Sequence, residues 1–294
     1  MAGLKEIRNR ITSVKTTRQV TSAMKMVSAA KLKKAQDAII RIRPYADKLH
    51  EILVPLGESL ENVDGSVFTE QRDPDNVLII LISSNRGLCG GFNINISKKA
   101  VELVNTKYAQ QQQLGKVDVI CIGKQGMRQA KYRGLKITRS VNELFDDISF
   151  ENVSALAAEI MENFAEGKYD RIELVYNHFR NAAVQVQSTE QFLPVEIKPD
   201  DKSEAAVAPD FIFEPSQEAI VNELIPRSLK IQLYKAILDS HAAEHGARMT
   251  AMHQATDNAT DLIQSLTLDY NKARQAAITG EILEIVSGAE ALKG

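Results

Sequence analysis

Apolar positions at the two ends of the chain recur at spacings of three and four. Leu4, Ile7, Ile11 and Val14 step 3, 4, 3, and the step returns as Ile39, Ile42, Ala46, Leu49, Leu53 and Leu56. An apolar residue about every 3.5 positions keeps one narrow face turned to a partner helix, so the spacing predicts a coiled-coil helix over residues 4–56. Between Val14 and Ile39 the apolar step shifts through Val20, Met24, Val27, Leu32 and Ala35, which reads as a stutter inside the helix. Pro44 is the one residue there able to kink it.

The C-terminal pattern keeps the step but changes its chemistry. Leu229, Leu233, Ala236, Ser240, Ala243, Ala247, Thr250, Gln254 and Asp257 form the expected seam, continued by Leu262, Leu266, Asp269, Ala273, Ala276, Gly280 and Leu283. Small seam residues let two helices approach closely but bury little area. The reading is a second long helix over 229–286, with Pro226 separating it from a shorter one. Gly280 costs such a helix about 1 kcal/mol relative to Ala.

The middle of the chain alternates. The run Asn76 to Ser83 (NVLIILIS) suits a strand buried on both faces. After it come helical spacing over 94–109, a strand over 116–122, a helix over 124–132, a strand over 135–139 and a helix over 151–164. Strands over 171–177 and 184–192 are close enough to form an antiparallel hairpin. Alternating strands and helices predict a largely parallel α/β sheet covered on both faces. Residues 198–210 (KPDDKSEAAVAPD) read as a polar linker. The expected organisation is therefore 1–56, an N-terminal coiled-coil helix; 57–210, an α/β domain with its linker; and 211–294, a C-terminal coiled-coil helix.

Length decides how these parts combine. A helix over 4–56 is roughly 80 Å long at about 1.5 Å per residue. An insert of that size has a radius of gyration near 15 Å, so the rod is about twice as long as the body is wide. If Leu56 pairs near Leu229 in an antiparallel hairpin, Leu4 falls beside about residue 281. Ile282, Leu283, Ile285 and Val286 would then protrude, and an exposed apolar tip calls for a partner.

Charge sharpens this picture. The net charge of −2 hides an asymmetry: Lys5, Arg8, Arg10, Lys15, Arg18, Lys25, Lys31, Lys33 and Lys34 stand against a lone Glu6 in residues 1–34. Such a face suits nucleic acid, anionic lipid or the acidic loops of a protein, and equally a plain solvated surface. The chain has no Trp, and no aromatics interleave with these charges, which weakens single-strand nucleic-acid binding. The basic segment also resembles a transit peptide in composition, but its helical pattern resumes downstream to Leu56, so it reads as mature structure. No run of 18 apolar residues is present, which predicts a soluble or peripheral chain. Cys89 and Cys121 suit a reducing compartment.

Three segments could carry chemistry. Ser83 to Asn93 (SSNRGLCGGFN) lies between a strand and a helix, where α/β sheets bind ligands. Its glycine spacing fits neither dinucleotide nor phosphate-loop patterns, and it offers no Lys for a phosphate, so a structural turn is expected. No His or acid identifies itself as a partner that would make Cys89 a nucleophile. His241 to His245 (HAAEH) matches the inverted zinc-protease string, but it lacks a third ligand and is expected on an exposed rod, so it reads as a chance match. The C-terminal stretch 271–289 combines Arg274, Gln275 and Thr279 with an apolar end, as an interface would.

Three stretches carry a family resemblance: KEIRNRITSVKTTRQVTSAMKMVSAAKLKKA, SSNRGLCGGFN, and NKARQAAITGEILEIVSGA preceded by ATDNAT. Over essentially its whole length the chain resembles the gamma-subunit family of F-type ATP synthases. The resemblance implies an antiparallel coiled coil of the terminal helices inside a ring of three alpha and three beta subunits. It implies a Rossmann-like α/β domain, without nucleotide, against epsilon and the ring of c subunits. Arg274, Gln275 and Thr279 match family residues that hydrogen-bond a loop of beta. Met24 matches the position facing beta's acidic C-terminal loop, and the basic face around Lys25 suits that loop. By the same resemblance the chain is a non-catalytic rotor with no cofactor, metal or nucleic acid. It would be peripheral, on the cytoplasmic side of the inner cell membrane, and without thiol control, since no insertion carries paired cysteines. The alternatives left by the residues alone are a coiled-coil scaffold or a nucleic-acid-binding rod.

Overall fold

The structure, a computed structural model, describes residues 3–60, 67–195 and 217–292. The expected linker over 198–210 and the side chains of Leu53 and Leu56, with the pairing of Leu56 near Leu229, lie outside the described residues. Elements run in the order α1 (Leu4–Leu60), β1 (Val77–Ile82), α2 (Phe92–Lys107), α3 (Ala109–Gln113), β2 (Val117–Ile122), α4 (Lys124–Tyr132) and β3 (Ile137–Val141). They continue with α5 (Phe150–Ala165), β4 (Arg171–Phe179), β5 (Gln185–Leu193) and α6 (Gln217–Ala291). Two compact units result: residues 1–28 with 249–294, and residues 29–248.

In the larger unit the sheet order is β3-β2-β1-β4-β5. Strand β1 pairs in parallel with β2 and β4, β2 in parallel with β3, and β4 antiparallel with β5. The apolar run of β1 is buried at every residue, as expected for a central strand. Its alternate residues serve two cores. Leu78, Ile80 and Ile82 join α5 and segments of α1 and α6, whereas Val77, Ile79 and Leu81 join α2 and α4. Strand β3 starts two residues later than the spacing suggested. Gly134 sits at φ +79 and the Leu135 amide bonds back to the Ala130 carbonyl, so these residues finish the turn out of α4.

Gly126 marks a close approach in this unit. Its amide donates to Ser83 Oγ at 2.9 Å, and Ser83 Oγ in turn donates to the Ile122 carbonyl at 3.1 Å. A methyl group on Gly126 would collide with the Ser83 side chain.

Helix α6 departs from expectation at Pro226, which sits inside one continuous helix. Ile225 and Leu229, 1% and 2% exposed, flank it, and their burial outweighs the backbone hydrogen bond that proline removes. The expected seam residues Leu229, Leu233, Ala236, Ser240, Ala243 and Ala247 are buried, but so are Ile237, Leu238, Asp239, Ala242, Glu244, His245 and Arg248. This stretch is enclosed on all sides, not an exposed rod. Its charged residues and histidines are paired. Arg248 Nη1 donates to Glu244 Oε1 at 2.6 Å, and Asp239 Oδ2 pairs with His178 Nδ1 at 2.8 Å. His241 and His245 share a 3.0 Å hydrogen bond between their Nε2 atoms, which requires one ring to donate and the other to accept. Burial, the neighbouring ring and nearby Arg248 and Lys31 press the His245 imidazole down to about 3; His241 is lowered to about 4, chiefly by burial.

In the smaller unit α1 and α6 pair antiparallel. Thr21 Oγ1 and Thr256 Oγ1 are 2.8 Å apart, and Arg8 Nη2 donates to Tyr270 Oη at 2.8 Å with its guanidinium over the ring. This register sets Leu4 beside about residue 274, a heptad short of the expected 281. The stutter is also absent. Leu4, Ile7, Ile11, Val14, Arg18, Thr21, Lys25 and Ser28 are all buried or half-buried, whereas Val20 and Val27 are exposed. In the larger unit Leu32, Ala35, Ile39, Ile42, Ala46 and Leu49 are buried or half-buried in the same step. Hydroxyls that bond within the pair and the aliphatic stems of Arg18 and Lys25 fill the seam where an apolar reading skipped. On α6 the seam is Met252, Thr256, Ala259, Ile263, Leu266, Tyr270 and Ala273, while the expected Gln254, Asp257, Leu262, Asp269, Ala276 and Leu283 face outward. Thr256 and Tyr270 are the hydrogen-bonding residues that turn the helix to this face.

Two outcomes follow from this packing. Gly126→Ala is expected to lower the stability of the larger unit by about 1–3 kcal/mol in urea unfolding, through overpacking against Ser83 and loss of its hydrogen bonds. The two histidines are neutral in the fold and take up protons near pH 6.5 when unfolded. Their contribution is therefore complete above pH 6.5 and is lost as pH falls toward 4. Burial raises Glu244 and Asp239, which opposes this loss, so the parent must be compared with a variant. His245→Gln is expected to flatten the stability profile between pH 6.5 and 4 by up to about 1.4 kcal/mol per pH unit, and to leave it unchanged above pH 7.

Candidate functional surface at the end of the C-terminal helix

Beyond the level of Leu4, α6 has no helix beside it among the described residues of its unit. Residues 274–292 are exposed apart from half-buried Gly280. Arg274, Gln275 and Thr279 all point to solvent here; Gln275 and Thr279 are four apart and share a face, with Arg274 at its edge. None of the three has a hydrogen bond or ion pair among the described residues, so their donors are free for another molecule. On the same side of the helix stand Ile278, Ile282, Leu283, Ile285 and Val286, 45–71% exposed. At 100° per residue these five cover about half of the helix circumference. The expected protrusion is thus present and longer than the sequence suggested, because the register is a heptad shorter. A Cβ on Gly280 would meet open space.

Met24 and Lys25 lie side by side on α1, both half-buried. The structure does not bring them to Arg274, Gln275 and Thr279: they sit at the level of the Thr21–Thr256 pair, several turns down the helix pair from Tyr270. The basic face is partly engaged already. Arg8 holds Tyr270, Arg10 pairs with Glu6 at 2.8 Å, and Arg18 and Lys25 belong to the seam. Arg8 also holds the Tyr270 phenol below its ordinary range through the hydrogen bond it donates. The sequence shows Arg8 as one cation of the basic face but not its pairing with Tyr270; a pair 262 residues apart leaves no local signal.

The glycine-rich segment 83–93 is laced by its own side chains. Asn93 Oδ1 accepts from the Ser84 amide at 3.1 Å, and Asn93 Nδ2 donates to Ser84 Oγ at 2.9 Å. Asn85 reaches the Asn142 carbonyl and the Lys124 amide. From α6, Arg248 Nη2 donates to the carbonyls of Arg86 and Gly87 at 3.1 and 3.3 Å. Leu88 at φ +61 and Gly90 at φ +59 shape the turn. Carbonyls turned toward a guanidinium are the reverse of a phosphate cradle, which presents amides. The segment clamps α6 to the sheet. Cys89 is buried against Phe92, Ala243 and Ala247, and burial pushes its thiol up, away from nucleophilic use. Glu244 of the HAAEH string is committed to Arg248, and no group of three metal-ligating side chains occurs among the described residues. No described helix is long and apolar enough to cross a membrane.

The ATP synthase family profile matches residues 3–292. ATP synthase gamma chains from Flavobacterium johnsoniae and Cytophaga hutchinsonii are 58% and 51% identical, over 100% and 99% of both chains. That of Geotalea uraniireducens is 45% identical over the full length of both. Among solved structures, the central stalk and c-ring of the Tetrahymena thermophila mitochondrial ATP synthase holds a chain 25% identical, with a TM-score of 0.58 over 80% of this chain and 99% of that one. A chain of the Euglena gracilis mitochondrial enzyme, 22% identical, shares the fold with a TM-score of 0.68 over 98% and 94%. Two paired terminal helices, the α/β unit between them in sequence and these full-length likenesses place the chain in the ATP synthase gamma-chain family.

Proposed function

We propose that the chain is the central rotor shaft of an F-type ATP synthase, coupling rotation of a c ring to conformational change at the catalytic sites of beta subunits. The observation that carries this reading is the unaccompanied end of α6, where free hydrogen-bonding groups sit beside an apolar surface wide enough to need an enclosing partner. Gamma-chain relatives at 45–58% identity and the likeness to a solved central stalk support it. In this organisation segments 1–56 and 211–294 form the shaft and 57–210 the α/β domain. The helical unit engages three alpha and three beta subunits, and the α/β unit engages epsilon and the c ring. The chain is itself non-catalytic. It is peripheral, joined through the complex to the cytoplasmic side of the inner membrane.

The surface suggests how such a shaft works. Apolar contacts have no preferred direction, so Ile278, Ile282, Leu283, Ile285 and Val286 can turn against an apolar sleeve without breaking directed bonds. Arg274, Gln275 and Thr279 add directed hydrogen bonds to a beta loop, which hold at particular angles. Met24 and Lys25 face beta's acidic C-terminal loop further along. A shaft with different chemistry on its different sides contacts each surrounding subunit differently, and only such differential contact can bias their conformations. A nucleic-acid-binding rod finds no support: Arg8 is held by Tyr270, Arg10 by Glu6 on its own helix, and Arg18 and Lys25 lie in the seam.

Replacing Arg274 and Gln275 together by Ala is expected to lower ATP synthesis and ATPase rates of the reconstituted complex by roughly tenfold, the scale of losing hydrogen bonds to a charged partner. The circular-dichroism melt of the isolated chain should not move, because both residues are exposed. Full activity in the double variant would remove these residues from the coupling contact.

A further inference from the structure

The larger unit holds a cavity of about 680 Å³ whose lining includes none of Met24, Lys25, Arg274, Gln275 and Thr279. Its walls come from α1, the first residue of α5 and the early part of α6. Two chemistries converge on it. Phe150 and Tyr234 meet edge to face with ring centroids 5.6 Å apart, and Tyr45, 48% exposed, lines the same space. Lys34, Arg41 and Arg227 line it too, against one carboxylate among the described residues, Asp37. None of these three cations has an ion pair or hydrogen bond among the described residues, in contrast to Arg248, Arg72, Arg139 and Lys107, which are all paired. Ile42 and Ile231 supply the apolar floor.

We propose that this cavity binds a small anion carrying a planar ring, of the mononucleotide class. The volume lies within the roughly 300–1,000 Å³ of small-molecule pockets. A base needs an aromatic face to stack on, which Tyr45 offers without rearranging the core. A phosphate ester needs unpaired cations, and a guanidinium fork such as Arg41 or Arg227 grips phosphate in two places. An inorganic anion would leave three aromatic rings unused, and a neutral ring would leave the cations unanswered. The site is separate from the 83–93 segment, whose groups are spent on Arg248 and one another. A ligand seated there would touch α1, α5 and α6 together and so tie the three helices of this unit.

The test is calorimetric titration of the purified full-length chain with ADP, alongside adenosine, ribose 5-phosphate and pyrophosphate. Saturable ADP binding, weakened about tenfold in both Tyr45→Ala and Arg41→Gln and lowered by salt, is expected. Adenosine, ribose 5-phosphate and pyrophosphate should each bind at least tenfold more weakly than ADP. Both replaced side chains are exposed, and unchanged melting curves will show that the variants are folded. Absence of saturable ADP binding up to millimolar concentration would overturn the proposal. So would affinity unchanged in both variants, or pyrophosphate binding as tightly as ADP.

Discussion

A helix enclosed on every side must carry small residues and answer its own charges, and much of this structure depends on how α6 meets that constraint between Ala236 and Arg248. Ala236, Ser240, Ala242, Ala243, Gly246 and Ala247 keep the helix narrow enough for neighbouring elements to close around it. Gly246 shows how close they come, since a Cβ there would lie 3.2 Å from the Ala182 Cα and from the Phe179 ring. The polar residues between them are buried, apart from half-buried His241. Burying a charge without a partner costs several kcal/mol, so Glu244 is paired with Arg248 and Asp239 with His178. The histidines take each other. Arg248 then has donors left over, and these fix the 83–93 segment at the C-terminal end of the central strand β1.

The smaller unit solves a different problem with the same helices. A thin two-helix pair has little apolar area to bury, so directed contacts carry more of its specification. Thr21 with Thr256 and Arg8 with Tyr270 are such contacts, and they select one register among several that the repeating seam would allow. That choice has a functional consequence. By ending the pair near residue 274 it leaves Arg274, Gln275 and Thr279 on the uncovered stretch of α6, with the apolar residues that follow. A register one heptad longer would have put the first of these under cover of α1.

Element type was legible for all but the five-residue helix α3. The buried run of β1, the alternation of strands and helices, and the β4–β5 hairpin follow from periods of 2 and 3.6 that local sequence records directly. The family was legible too, because the stretches from Lys5, Ser83 and Asn271 are specific. What local reading lost was phase. In the N-terminal helix the seam passes through Arg18, Thr21, Lys25 and Ser28, which an apolar count discards. In α6 the neighbours Leu262 and Ile263 are interchangeable to such a count, although the one is exposed and the other inward.

The sequence by itself determined which segments are helix or strand, that two long helices end the chain, and that Arg274, Gln275 and Thr279 sit beside an apolar terminus. These depend on interactions within a few residues. Only the tertiary structure decided that Pro226 lies within one helix, that His241 and His245 bond each other in an enclosed stretch, and that the helix pair stops near residue 274. The His241–His245 bond itself spans only four residues, but the enclosure around it, like the other two features, is set by contacts across long separations in the chain, where burial of Ile225 and Leu229 or a hydrogen bond from Arg8 to Tyr270 outweighs local preference. Such contacts have no period for the sequence to show.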